Sequence, residues 1–175
     1  MEELKYPIGR FIPPAIITKE MRVEYIDTIE RFPNELQLAL TDYSSHLLDT
    51  QYRPEGWTVR QVVHHCADSH MNSYIRFKLA LTEDSPIIKP YMEDRWALLS
   101  DTTQMPIEPS LSILLGIHSR WTILLQNMSD DDFAKTFMHP EHNKLFRLDT
   151  TLSMYAWHCR HHFAHILLVT KNQKI

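Results

Sequence analysis

Two clusters of histidine carry the chemistry this sequence can perform. Eleven histidines occur in 175 residues, and most are grouped: His64-His65 with His70 five residues on, and His158-Cys-Arg-His161-His162-Phe-Ala-His165. Neutral imidazole is a ligand for zinc, nickel, iron and copper. Residues four apart on a helix share a face and can hold one ion together. His158 and His162 have this spacing, and so do His161 and His165.

A helical wheel separates those pairs. At about 100° per residue, Leu148, Leu152, Tyr155, Cys159, Ile166 and Val169 form one apolar stripe. His158 and His162 fall inside it, His165 lies at its edge, and His161 lies outside. The first pair therefore faces an interior, where two imidazoles without partners cost free energy. A metal ion relieves that cost, as does a carboxylate with ordered water. On the earlier segment the wheel puts His70 in the middle of the stripe made by Val59, Val63, Cys66 and Phe77, with His65 at its margin above Ser69, Asn72 and Arg76. Periodicity alone does not choose between them. Asp68, Asn72 and Arg76 are candidates to line a pocket beside His65, and equally fit a solvated helix face.

The remaining candidates read more plainly. Cys66 and Cys159 each follow one of these histidines, but adjacent helical positions point about 100° apart, so both are expected as small buried hydrophobes. His46, His139 and His142 are expected in loops or turns without a role, and His118 as structural. His64, His161 and His165 are expected as supporting or surface groups, and the four tryptophans as core or rim.

The elements that must position these groups follow from spacing and breakers. Met21, Tyr25, Ile29, Phe32, Leu36 and Leu40 predict a helix from Thr18 to about Tyr43, kinked or broken at Pro33. A second helix opens at Thr58, where Thr58 and Gln61 have capping-box spacing, and ends near Thr82. A short helix is expected around Glu93 to Leu99, and a third main helix from Ser110 to about Met128, after breaks at Pro106 and Pro109. Ser129 to Asp132 reads as an acidic turn and His139 to Asn143 as a loop. The fourth main helix starts at Asp149, a good N-cap, and runs to about Thr170. Tyr6 to Pro14 is too rich in proline for a helix and is expected to dock over the bundle.

Composition narrows the class. Only 3 glycines occur against 10 prolines, which disfavours a turn-rich β fold or a glycine-rich phosphate loop. A net charge of -4 gives no general attraction for nucleic acid or an anionic membrane surface. No apolar run approaches the ~20 residues that span a bilayer, and Met1 to Lys5 lacks the layout of a signal peptide. Two cysteines make no disulfide framework. The expectation is one all-α domain over residues 1–175, a four-helix bundle with short additional helices, located in the cytoplasm.

The stretch from Gly56 to Glu83, GWTVRQVVHHCADSHMNSYIRFKLALTE, closely resembles the YfiT-like branch of the DinB superfamily, as do YPIGRFIPP (Tyr6 to Pro14) and YAWHCRHHFAHI (Tyr155 to Ile166). The similarity runs over nearly the whole chain. It implies a four-helix bundle, usually a homodimer, with a metal held by three histidines: the second His of the VVHH string, here His65, then the His after Tyr-x-Trp and the His four residues on, here His158 and His162. The resemblance also implies a metal-dependent hydrolase, while some relatives are thiol S-transferases using low-molecular-weight thiols such as bacillithiol.

Three imidazole donors leave at least one position open on a divalent ion, zinc first in expectation and nickel next. Such a site activates water for attack on a small-molecule substrate, although no Ser/His/Asp set and no glutamate of the His-Glu-x-x-His kind is visible. The alternatives are thiol transfer, in which the ion lowers the pKa of a thiol cosubstrate, and a non-catalytic bundle in which the ion only ties helices together. No nucleic-acid or membrane partner is expected.

Overall fold

In the computed structural model, which describes residues 2–171, local signals set where each helix starts. α1 is one turn, Glu2–Lys5, followed by an extended arm. α2 spans Lys19–Leu40, and the Thr18 hydroxyl accepts the Met21 N–H at its start. It runs through Pro33 without the expected break. α3 is a turn at Ser45–Leu48. α4 spans Val59–Thr82 and opens with the predicted capping box: the Thr58 N–H donates to the Gln61 side chain at 2.9 Å, and the Gln61 N–H donates to the Thr58 hydroxyl at 3.2 Å. The single short helix expected near Glu93 is two, α5 at Glu93–Trp96 and α6 at Ser100–Gln104.

α7 spans Glu108–Gln126. Pro109 lies inside its first turn rather than before it, a position whose N–H has no intrahelical acceptor in any case. The acidic turn expected at Ser129 to Asp132 is in fact the cap of α8, Asp130–Ala134, closed by a second capping box between Ser129 and Asp132. The expected loop at His139 to Asn143 is the tip of a hairpin, β1 Thr136–His139 paired antiparallel with β2 Lys144–Arg147. Phe137 and Phe146 face each other across it, with ring centroids 5.8 Å apart, and Asn143 takes the positive φ that the tight turn needs. α9, Leu148–Lys171, begins one residue before the predicted cap.

The four long helices form the bundle. α2 packs on α7 and α9, and α4 packs on the same two, so α4 and α9 are neighbours. Phe32, Leu36, Val63, Phe77, Leu114, Trp121, Leu125, Leu152 and Ile166 fill the interior at 2% exposure or less. Removing each such side chain from water contributes roughly 1.5–3 kcal/mol. Cys66 and Cys159 belong to this core as expected, and burial raises both thiol pKa values. No helix among the described residues is long and apolar enough to cross a membrane.

The loop before α4 is pinched at its base. The Val59 N–H donates to the Thr50 carbonyl and the Tyr52 N–H to the Trp57 carbonyl, both at 3.2 Å. Gly56 lets the loop close: a Cβ there would lie 2.7 Å from Arg53 Cγ and 3.1 Å from the Arg53 carbonyl. Gly56→Ala is therefore expected to cost about 1–3 kcal/mol, read as a fall in the thermal midpoint. An unchanged midpoint would show that the loop tolerates a side chain there.

Candidate metal centre

α4 and α9 bring His65, His158 and His162 together: one ring nitrogen from each lies within 4.8 Å of the others. His65 Nε2 and His158 Nε2 are 3.2 Å apart, and the rings of His158 and His162 meet edge to face with centroids 4.4 Å apart. Two nitrogens bound to one tetrahedral zinc at 2.0–2.1 Å lie roughly 3.3 Å apart, so the spacing suits a shared cation. Burial lowers the pKa of His65 to about 4 and holds His158 and His162 well below the ordinary value. The rings are neutral at pH 7, the form that binds metal. Neither cysteine joins the group among the described residues.

Aromatic groups and the N-terminal arm wall the site. The Trp57 ring lies 4.7 Å from that of His65, and Tyr52 stacks on His165 at 3.9 Å. The arm docks as expected: the Trp157 indole donates to the Gly9 carbonyl at 3.2 Å, and Phe11 lies 6.0 Å from the same indole. Tyr6 and Trp157 both cover His161, which is 7% exposed. The wheel places His161 outside the apolar stripe; it is buried because Tyr6 of the arm and the neighbouring Trp157 of α9 cover it.

Two clefts open on the site. One, of about 380 Å³, is floored by His65, His158, His162 and His165 and walled by Tyr6, Tyr52, Arg53, Trp57 and Glu93. The other, of about 450 Å³, reaches His158 past Arg76, Tyr91, Glu93, His139, His142 and Tyr155. His158 and Glu93 line both. Volumes of this size hold a small molecule. Burial, with Asp94 next, raises the pKa of Glu93.

The other candidates are distributed unevenly. Of the three expected beside His65, Arg76 lines the second cleft, while Asp68 and Asn72 line neither. Asn72 lies roughly 10 Å along the helix axis from His65, and its amide donates to the Asp68 carbonyl at 2.9 Å. The Asp68 carboxyl is pushed up to about 6 by burial and by Asp101. His64 bonds Ser110 at 2.7 Å in the packing between α4 and α7. His139 and His142, expected to be without a role, line the second cleft, because the hairpin folds back over α4. His46 is exposed on α3. Glu93 was missed: it opens a one-turn helix, and nothing in the spacing ties that turn to the histidines.

The rings make the metal-free protein acid-sensitive. His65, His118 and His161 sit at about 4 and His165 at about 3, all chiefly through burial. In the unfolded chain each returns to about 6.5. Below that pH the unfolded state takes up protons that the folded state refuses, so stability present above pH 6.5 is lost as pH falls toward 4. Each such group contributes a slope of about 1.4 kcal/mol per pH unit. The thermal midpoint of chelator-stripped protein is expected to fall steeply over that interval; a flat profile would contradict the burial of these rings.

The sequence profile of the DinB superfamily matches residues 28–166. Relatives from Bacillus cereus and Bacillus anthracis, each named "Putative metal-dependent hydrolase", are 52% identical over 171 residues, covering 98% of both chains. A solved structure, YfiT from Bacillus subtilis, described as a probable metal-dependent hydrolase with an unusual four-helix bundle topology, superposes with a TM-score of 0.95 at 45% identity, over 98% of each chain.

Proposed function

We propose, since this chain belongs to the DinB superfamily, that it is a metal-dependent hydrolase acting on a small molecule, with its divalent ion held by His65, His158 and His162. The convergence of three uncharged imidazoles, His65 and His162 buried and His158 half-buried, at the floor of an open cleft carries this reading. Three protein donors leave a position free, as in reactive rather than structural zinc sites. An all-nitrogen donor set suits zinc first and nickel next.

A divalent ion held there supplies Lewis acidity, polarising a substrate oxygen and bringing the pKa of water toward neutrality. The chain supplies the rest. Glu93 stands where the two clefts meet, and its raised proton affinity equips a carboxylate oxygen to take the proton of the attacking water and return it to the leaving group. Arg53 and Lys5 in one cleft and Arg76 in the other offer positive charge to a polar or anionic substrate group. Trp57 and Tyr52 present aromatic walls that exclude water from one side of the rings.

The test is turnover of a panel of activated esters, amides and electrophilic substrates by metal-loaded protein, with and without added thiols. Metal-dependent hydrolysis without thiol is the expected result. Turnover that requires a thiol would replace hydrolysis with thiol transfer. No turnover in either arm, with chelation only lowering the thermal midpoint, would leave the ion a structural role.

A further inference from the structure

Pro33 lies buried inside α2. Proline has no N–H, so the carbonyl of Ile29, four residues back, loses the donor an ordinary helix would give it. His118 of α7 takes that place: its Nδ1 bonds the Ile29 oxygen. His118 Nε2 lies 2.7 Å from His70 Nδ1, and His70 Nε2 lies 3.0 Å from His158 Nδ1. A second series starts at the Lys5 carbonyl, 3.2 Å from His165 Nε2, and continues from His165 Nδ1 to His162 Nδ1 at 3.4 Å.

The direction of both series is settled by their ends. A carbonyl only accepts, and a neutral imidazole donates through one nitrogen and accepts through the other. His118 must donate from Nδ1 to Ile29, so its Nε2 accepts from His70 Nδ1–H. His70 Nε2 then accepts from His158 Nδ1–H, which leaves a bare lone pair on His158 Nε2, the atom facing His65. By the same steps His165 donates from Nε2 to Lys5, accepts from His162 Nδ1–H, and leaves His162 Nε2 bare.

We propose that His70, His118 and His165 are positioning residues, forming two carbonyl-anchored chains that fix the tautomers of His158 and His162 so that both present Nε2 to a single cation before it arrives. This rests on the metal reading above. It also gives a role to the second convergent group, His161, His162 and His165: the facing nitrogens of His162 and His165 are spent on each other, so that group supports the first site rather than forming another. The proline, remote in sequence from every candidate ligand, becomes the fixed end of the longer chain.

The tautomers are read directly in metal-free, 15N-labelled protein by long-range 1H–15N correlation of the imidazole rings. His70, His118, His158 and His162 are expected protonated on Nδ1 and bare on Nε2, with His165 the reverse. A bare Nδ1 on His158 or His162 overturns the proposal. Metal affinity, measured by competition with a chromophoric chelator, is the second readout. His70→Leu is expected to weaken binding about 10–100-fold. His70→Gln, whose amide can accept from His158 and donate to His118, is expected to recover most of that loss. Unchanged affinity in His70→Leu, or equal loss in both folded variants, overturns it. If the unaltered protein takes up no metal, the ligand reading fails, and the spectra alone decide the tautomer chains.

Discussion

Protein purified with His158→Ala or His162→Ala is expected to lose its metal, while His161→Ala keeps it. All three sit within five residues on one helix, and His161 is as buried as His162 while His158 is half-buried, so neither composition nor accessibility singles out the ligands. Geometry does. His158 and His162 each bring a nitrogen within 4.8 Å of the other and of His65, whereas His161 belongs only to the neighbouring group with His165. Among the described residues its Nδ1 has no hydrogen-bond partner, and its ring lies between Tyr6 and Trp157. Losing a supporting partner of a ligand costs 10–100-fold in affinity, and losing one of three ligands is expected to exceed that, taking metal content from about one ion per chain to near zero. Elemental analysis after gel filtration reads the outcome. Equal loss in all three variants would show that the ion sits elsewhere in the cluster.

Glu93→Gln is expected to lower kcat by about 10²–10⁴-fold with metal content and thermal midpoint unchanged. Glutamine keeps the size and hydrogen-bonding reach of the side chain but cannot take up a proton at pH 7. Glu55 provides the control: it lines the first cleft too, but not the second. Glu55→Gln is expected to change kcat less than a few-fold. The raised pKa of Glu93 places the acid limb of the rate profile above that of an ordinary carboxylate. A Glu93→Gln enzyme with full kcat would assign the proton transfers to another group.

Much of the architecture is legible along the chain because it is local. The Thr58–Gln61 capping box and the apolar stripes of the four long helices rest on neighbours in sequence or on one amphipathic face. The hairpin was missed because each strand is four residues long, too short for alternation to separate it from a loop. At Pro33 the sequence shows the missing N–H but not the imidazole that bonds the freed carbonyl, where the helix runs on unbroken.

The site divides the same way. The inward direction of His158 and His162 is a property of one helix and can be read from its wheel. The choice between His65 and His70 is not, since both are buried on α4. Only the packing of α4 on α9 shows His65 beside both α9 histidines and His70 behind His158, on its far nitrogen. Family resemblance, rather than periodicity, singled out His65. Glu93, His139 and His142 reach the clefts through tertiary folding of short elements, which no local pattern encodes.

X-ray absorption at the edge of the bound metal tests the central claim most directly. Three imidazole nitrogens at about 2.0–2.1 Å for zinc, with the remaining position filled by light atoms from solvent, is the predicted coordination. A sulfur neighbour near ~2.3 Å, or a fourth imidazole closing the coordination, would contradict an open site built from His65, His158 and His162.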